Sequence, residues 1–306
     1  MSERHVVFGA GPVGRATAEQ LVERGHEVLL VSRSGQGEEI AGTRRDAADA
    51  ADAARLSELA KGAAAIYNCI NPPAYDVWPE YWPPVAAAML TAAERTDAVL
   101  VTAANLYAYG PVDGPMVEGM PDRAPGVKAQ VRARMWADAK AAHDAGRARA
   151  VEVRGSDYMG AGVGEGAHIP RVVPRALQGK TVRVFGRADL PHSWTDVQDM
   201  GRALATVAVR EEAWGRVWHA PTNPPRTQAE AVADVCHAVG REPGPVRTYP
   251  GMMITVGGKV MPLLRELGET VYQFERPYVL DSSAIARELG LEATPWDEVC
   301  RRTALS

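Results

Sequence analysis

The stretch Val6–Leu21, VVFGAGPVGRATAEQL, decides how the rest of the chain is read. His5–Phe8 is a short apolar run that predicts a buried strand. From Arg15 onward the pattern changes. Ala16, Ala18, Leu21 and Val22 recur at helical spacing, and Gly25 supplies a stop. Between strand and helix lie Gly9, Gly11 and Gly14, spaced G-x-G-x-x-G, with Pro12 and Val13 completing the turn. The first glycine permits a tight turn, the second lets backbone approach a pyrophosphate, and the third lets the helix pack on the strand. The helix start offers free N–H groups to phosphates. A second strand, Glu27–Val31, follows at the distance a nucleotide-binding unit requires. This context predicts a dinucleotide site rather than a glycine turn that merely packs.

The end of the second strand selects the cofactor. A carboxylate there would hold the ribose 2′-OH of NAD, but the residues are Ser32, Arg33 and Ser34. An arginine can pair with a 2′-phosphate, so NADP is expected. If Arg33 points into solvent, NAD is accepted as well. Further out, Asp46 ends a third strand and Ala64–Ile70 forms a fourth, with Asn71 and Pro72 at its end. The proline-rich stretch 71–85 breaks the pattern before a helix over Val85–Arg95. A strand over Ala98–Ala104 follows, then a long helix with Val127, Val131 and Met135 on one face, as core or as interface.

Strands alternating with helices imply right-handed crossovers and a doubly wound parallel sheet, an α/β fold of the Rossmann type. Such sheets bind ligands at the carboxyl ends of their strands. One rim should therefore carry Gly9–Gly14, Ser32–Ser34, Asp46, Asn71–Pro73, Asn105–Tyr109 and Arg154–Tyr158. Residues 1–160 are expected to form the dinucleotide-binding domain. Residues 161–306 are expected to interleave the last sheet strands with a smaller C-terminal substrate-binding lobe.

The bulk properties narrow the partners. The chain has 306 residues, 46% hydrophobic and 24% charged, with a net charge of -4. There is no basic excess for nucleic acid, and no apolar run approaches the ~18 residues of a membrane span. The N-terminus carries no signal-peptide pattern. Cys69, Cys236 and Cys300 make neither a metal spacing nor a disulfide framework, so a reduced, cytoplasmic setting and no metal are expected.

The chain resembles the extended short-chain dehydrogenase/reductases, especially NAD(P)-dependent nucleotide-sugar epimerases and dehydratases. The matching residues are VFGAGPVGR (Val7–Arg15), Asp46, YAYGP (Tyr107–Pro111) with Glu118 and Pro121, VRGSDYMGAGV (Val153–Val163), HSWTDVQDMGRAL (His192–Leu204) and VLDSSAIARELGLEATPWDEV (Val279–Val299). The resemblance covers nearly the whole chain. It implies a small-molecule substrate with a carbonyl/alcohol centre, and pairing of two copies through the helices after strands four and five.

The departures concern catalysis. The family usually carries Y-x-x-x-K, in which the tyrosine is acid or base and the lysine lowers its pKa. Here no tyrosine has a lysine four residues later; the aligned positions are Gly126 and Gln130. The family's Ser/Thr falls on Asn105. A hydride transfer to a carbonyl still needs a proton donor. Candidates are Asn105, Tyr107 and Lys128, the nearest cation to the missing lysine. Lys128 and Arg132 are like charges one turn apart, either flanking an anion or lying on a solvated helix face. If the chain stays extended past Ala104, Asn105, Tyr107 and Tyr109 share a side.

Substrate contacts are expected from Tyr109, Asp157, Tyr158 and His192. Tyr75 is another, within the cluster Tyr75, Trp78, Tyr81 and Trp82, which is either an apolar substrate wall or the core of a lid. His192 titrates near neutrality and could donate a proton, or could be a satisfied loop histidine. Three readings stay open: an NADP-dependent oxidoreductase or epimerase, a non-catalytic NADP-binding redox sensor, and an isomerase or dehydratase that uses its cofactor transiently.

Overall fold

The computed structural model describes residues 2–72, 77–249 and 269–306. In chain order the main elements are β1 (Arg4–Phe8), α1 (Pro12–Glu23), β2 (Glu27–Ser32), β3 (Thr43–Ala47), α2 (Ala53–Ala60), β4 (Ala65–Asn68), α3 (Trp78–Thr96), β5 (Val99–Asn105), α4 (Val127–Asp144), β6 (Ala150–Gly155), β7 (Asp157–Met159), α5 (Val173–Ala176), β8 (Val182–Val184), β9 (Trp194–Asp196), α6 (Val197–Val207), β10 (Val217–His219), α7 (Gln228–His237), β11 (Val246–Thr248), α8 (Ser283–Leu289) and α9 (Trp296–Ala304). They fall into two compact units.

The first unit comprises residues 1–108, 127–154 and 200–218. It holds a seven-stranded sheet in the order β10-β6-β5-β4-β1-β2-β3. The pairs β1–β2, β2–β3, β1–β4 and β4–β5 are parallel. Val6, Val7, Val28, Leu30, Val99 and Val101 are buried as continuous apolar runs, as strands covered on both faces require. The chain winds outward through β2 and β3, then returns across β1 to β4. The order therefore reverses between β1 and β4, which opens the crevice where such sheets take ligands.

Two helices of this unit depart from the sequence reading. The proline-rich stretch does not delay α3 to Val85, because the helix begins at Trp78 with Pro79 in its first turn and Pro83 and Pro84 inside. Interior prolines forfeit backbone hydrogen bonds. Burial of Trp78, Trp82, Val85 and Met89 on one face offsets that loss. On α4 the buried face is Lys128, Ala129, Arg132, Met135, Ala139 and Ala142, whereas Val127 is 53% exposed and Val131 half-buried. The solvated basic face is thus excluded. Val127, Val131 and Met135 do not form a common core stripe.

The second unit comprises residues 109–126, 155–199 and 219–306. The division is not a single cut near residue 160, since 109–126 join this unit while 200–218 return to the sheet. Two short parallel pairs, β7–β9 and β8–β11, carry it. Met159, Ile169, Val173, Trp194, Val232, Val235 and Val299 make its core with α5, α7 and α9. Thr227 caps α7 in a capping box: its hydroxyl accepts from Glu230 N–H, and the Glu230 carboxylate accepts from Thr227 N–H. Asp199 accepts from the Thr294 amide and hydroxyl at 2.7 and 2.6 Å, joining the last residue before the sheet segment to the C-terminal stretch.

Candidate functional site

In the first unit the three glycines do separate jobs. Gly9 has φ +106°, and a Cβ there would lie 2.4 Å from the Cys69 carbonyl at the end of β4. A Cβ on Gly14 would lie 1.8 Å from the Gly9 carbonyl. Both positions demand glycine for close packing. Gly11 differs, because a Cβ there meets nothing within 4 Å. It is the N-cap of α1, with no side-chain cap, and Pro12 follows in the first turn. The start of α1 thus has open space beside Gly11 and the positive end of the helix dipole behind it. A pyrophosphate fits this chemistry. The Cys69 thiol beside the turn is pushed up to about 12 by burial, against a weak Thr17 contact, so it stays protonated.

The other rim candidates of this unit lie at strand ends. Ser32 closes β2, and its buried hydroxyl has no protein partner among the described residues. Arg33 and Ser34 are exposed, and Ser34 accepts from Gln36 N–H. Arg15 pairs with Glu38 at 2.6 Å nearby in sequence. Asp46, in β3, accepts two hydrogen bonds from Arg55 at 2.9 and 3.0 Å, so its carboxylate is engaged inside the protein. Asn71 is exposed and Pro72 buried. Tyr75 lies outside the described residues.

At the end of β5 the chain does not stay extended. The Asn105 side chain accepts from Tyr107 N–H at 3.2 Å, and Tyr107–Tyr109 form a short 3-10 turn. This Asx-type turn removes the alternation that would have put Asn105, Tyr107 and Tyr109 on one side. The Tyr107 ring is buried 6.1 Å from Trp78. The Arg132 guanidinium lies 5.0 Å from Trp78 and 4.1 Å from Trp82. Lys128, one turn before Arg132 on the same face of α4, is 2% exposed. Of the aromatic cluster, Trp78 and Trp82 are therefore core, packed around a buried cationic stripe.

In the second unit Asp157 and His192 meet. His192 Nε2 is 2.7 Å from Asp157 Oδ2, and its Nδ1 is 3.2 Å from the Gln273 carbonyl. A carbonyl only accepts, so Nδ1 carries a hydrogen and the Nε2–Asp157 contact holds the second proton. Backbone bonds with Arg226 fix the loop, and the ring lies within 5.2 Å of Trp194, Phe274 and Tyr278. Burial pushes the Asp157 carboxyl up, but the hydrogen bond and charge of His192 outweigh it and hold the group below the ordinary carboxylate value. Burial, reinforced by Tyr272 and Asp157, raises the Tyr278 phenol well above its ordinary value. Tyr158 packs against Gly155. Tyr109 is buried with its hydroxyl 2.9 Å from His219 Nε2. His219 Nδ1 donates to the Asp281 carbonyl, so the tyrosine hydroxyl is the donor of that pair. The sequence reading missed Gln273, Phe274 and Tyr278 around His192. They lie about 80 residues downstream, where no local pattern points to them.

A parallel doubly wound sheet with a glycine turn at its switch point and an uncapped helix start is an α/β fold of the Rossmann type. The NAD dependent epimerase/dehydratase family matches residues 6–218, and the chain belongs to it. The dTDP-glucose 4,6-dehydratase of Escherichia coli is 25% identical over 122 residues, 40% of this chain, and that match spans 30% of the dehydratase's length. The structure of dTDP-glucose 4,6-dehydratase from Bacillus anthracis in complex with NAD has a TM-score of 0.81 at 15% identity, covering 99% of this chain and 96% of that one. UDP-glucose 4-epimerase from Brucella ovis in complex with NAD has a TM-score of 0.76 at 18% identity, covering 99% and 98%. At these identities the structural likeness speaks for the fold. Among the described residues no helix is long and apolar enough to cross a membrane.

His168 generates a testable pH dependence. Its ring stacks on Phe274 at 4.0 Å, and Nε2 contacts Gln228. Burial lowers its pKa from the ordinary 6.5 to about 4. Between those values the unfolded chain binds the proton and the folded protein does not. Stability is therefore full above pH 6.5 and falls as the pH drops towards 4, by ~3 kcal/mol at most for this residue. His5, also lowered to about 4 mainly by burial, shares the window. Urea denaturation at pH 7, 5.5 and 4.5 should show a shallower loss for His168→Gln than for wild type, and an unchanged slope would refute the assignment.

Proposed function

We propose that this chain is an NADP-preferring oxidoreductase or epimerase acting on a carbonyl/alcohol centre of a small molecule. The observation that carries the reading is the open space at Gly11, before the uncapped start of α1. Gly9 and Gly14 are explained by packing, but Gly11 is not. A glycine with room for a side chain is needed where a ligand takes that room. Arg33 and the unpartnered Ser32 hydroxyl support a 2′-phosphate at the end of β2. The named structural neighbours hold NAD, so the preference is decided by titration. Gly11→Asp keeps a good helix N-cap and meets no protein atom, so the fold should keep its Tm. Its carboxylate would repel phosphates, and NADPH affinity should fall ~100-fold, about 2.7 kcal/mol. Arg33→Ala should abolish the preference for NADPH over NADH. Unaltered binding in Gly11→Asp would refute the site.

The bound nicotinamide would accept or return a hydride. The chain's own part is to hold the substrate oxygen and move its proton. We assign that part to Tyr107, Asn105 and Lys128 in place of the usual Tyr/Lys pair. The support is that Lys128 and Arg132 are buried on one face of α4, with Arg132 over the Trp78 ring that itself lies 6.1 Å from Tyr107. A buried ammonium near a phenol favours the phenolate and so eases proton transfer. Asp157 and His192 are proposed as substrate contacts in the second unit. Tyr107→Phe and Lys128→Met should each lower kcat by ~100-fold or more while NADPH affinity stays within threefold. Full turnover in both variants would move the proton donor elsewhere. A second reading, epimerisation or dehydration with a cofactor that is regenerated in each cycle, is favoured by the dehydratase and epimerase relatives. It would show as cofactor retained through purification and no net NADPH consumption.

Two copies are proposed to pair through α3 and α4. A groove of about 640 Å³ there is lined by Ala86, Leu90, Val127, Val131, Met135 and Trp136. Light scattering should give a dimer mass for wild type and a monomer for Trp136→Glu. A monomeric wild type at micromolar concentration would exclude the pair.

A further inference from the structure

We propose a divalent transition-metal site, best suited to zinc, formed by Glu3, His5 and His26 at the amino ends of β1 and β2. None of these residues serves the cofactor turn, which lies at the opposite end of β1, about 13 Å away by strand rise. Glu3 immediately precedes β1, two residues before His5. His26 immediately precedes β2, whose register pairs Arg4 with Glu27, and this sets His26 beside Glu3. The His5 and His26 rings are 4.5 Å apart, edge to face. One ligand atom from each of the three residues lies within 4.8 Å of the other two.

The strongest indication is His5 itself. Its ring is fully buried, and its Nε2 has no hydrogen-bond partner. Glu3 Oε2 stands 3.9 Å away, beyond hydrogen-bond distance. A buried polar atom left in this way is destabilising unless something else satisfies it. His5 Nδ1 is 3.0 Å from the Tyr67 hydroxyl. If Nδ1–H donates to Tyr67, the lone pair of Nε2 is aimed at Glu3 and His26. That is the way metal-bound histidines are oriented, by an outer partner on the second nitrogen.

Two imidazoles and one carboxylate suit zinc or cobalt and leave a fourth position for water. Ligand atoms around such an ion sit about 3.3 Å apart, as tetrahedral bonds of ~2.0–2.1 Å require. Closing from separations of up to 4.8 Å calls for side-chain rotation of Glu3, which is 49% exposed, and of His26. His26 would give up a long 3.3 Å bond from Glu3 N–H. With two of its three ligands nitrogen, the site should bind the hard ions magnesium and calcium far more weakly than zinc. The site would pin the chain entry into β1 to the start of β2.

The test uses untagged, chelator-treated full-length protein titrated with Zn²⁺ by calorimetry and with Co²⁺ by visible absorption. One equivalent should bind, Co²⁺ should show the intense bands of a tetrahedral ion, and Zn²⁺ should raise Tm. His26→Ala and Glu3→Gln, both at the surface end of the cluster, should stay folded, lose the Co²⁺ bands and weaken Zn²⁺ at least tenfold. His5→Ala is a poor probe because its ring is core. Absence of saturable one-to-one binding in wild type overturns the proposal. So does binding unchanged in His26→Ala, which would place the ion elsewhere.

Discussion

Three pieces of backbone meet in one small volume at the top of the first unit. The Gly14 α-carbon sits against the Gly9 carbonyl, and Gly9 sits against the carbonyl of Cys69. A methyl group at either position would stand 1.8 or 2.4 Å from a backbone oxygen, a distance no side chain tolerates. The contact brings β1, α1 and β4 together at the point where the strand order reverses. The crevice, the exposed helix start and the adjacent strand ends all take their places from it. A similar constraint recurs at Gly201, where a Cβ would fall 2.6 Å from the backbone of Ala16 and α6 crosses α1 at close range.

Around that point the unit spends its polar groups in different ways. Asp46 is tied to Arg55, and Asn105 to the turn that follows it. The Ser32 hydroxyl has no partner among the described residues, and α1 starts with no side-chain cap. Lys128 and Arg132 are carried into the interior by α4, where the indole faces of Trp78 and Trp82 receive the guanidinium. Charges are expensive to bury without compensation, and for Arg132 the two indole faces supply part of it. In the second unit the Asp157–His192 pair is similarly enclosed, by aromatic rings on three sides.

Much of this was legible in the linear chain. The strand–glycine–helix order at residues 5–25 and the second strand depend on neighbours a few residues apart, and local chemistry decides them. Other features were not. Reading prolines as breaks misplaced the start of α3, because two buried tryptophans outweigh the lost hydrogen bonds. Apolar spacing on α4 left its Val127, Val131 and Met135 face open between core and interface and gave no sign that Lys128 and Arg132 would be buried instead, against aromatic rings that accept cations. Asn105, Tyr107 and Tyr109 would alternate in a strand, but one side-chain hydrogen bond turned the backbone.

The sequence by itself determined the α/β class, the dinucleotide turn and the absence of the usual Tyr-x-x-x-Lys pair. Each is written in residues adjacent or nearly adjacent in the chain, where spacing alone sets geometry. Only the tertiary structure decided that Lys128 is buried, that Asp157 meets His192 across 35 residues, and that Glu3, His5 and His26 converge. Those outcomes depend on which surfaces face each other after folding. Burial, ion pairing and ligand geometry are properties of such contacts, and no local pattern encodes them.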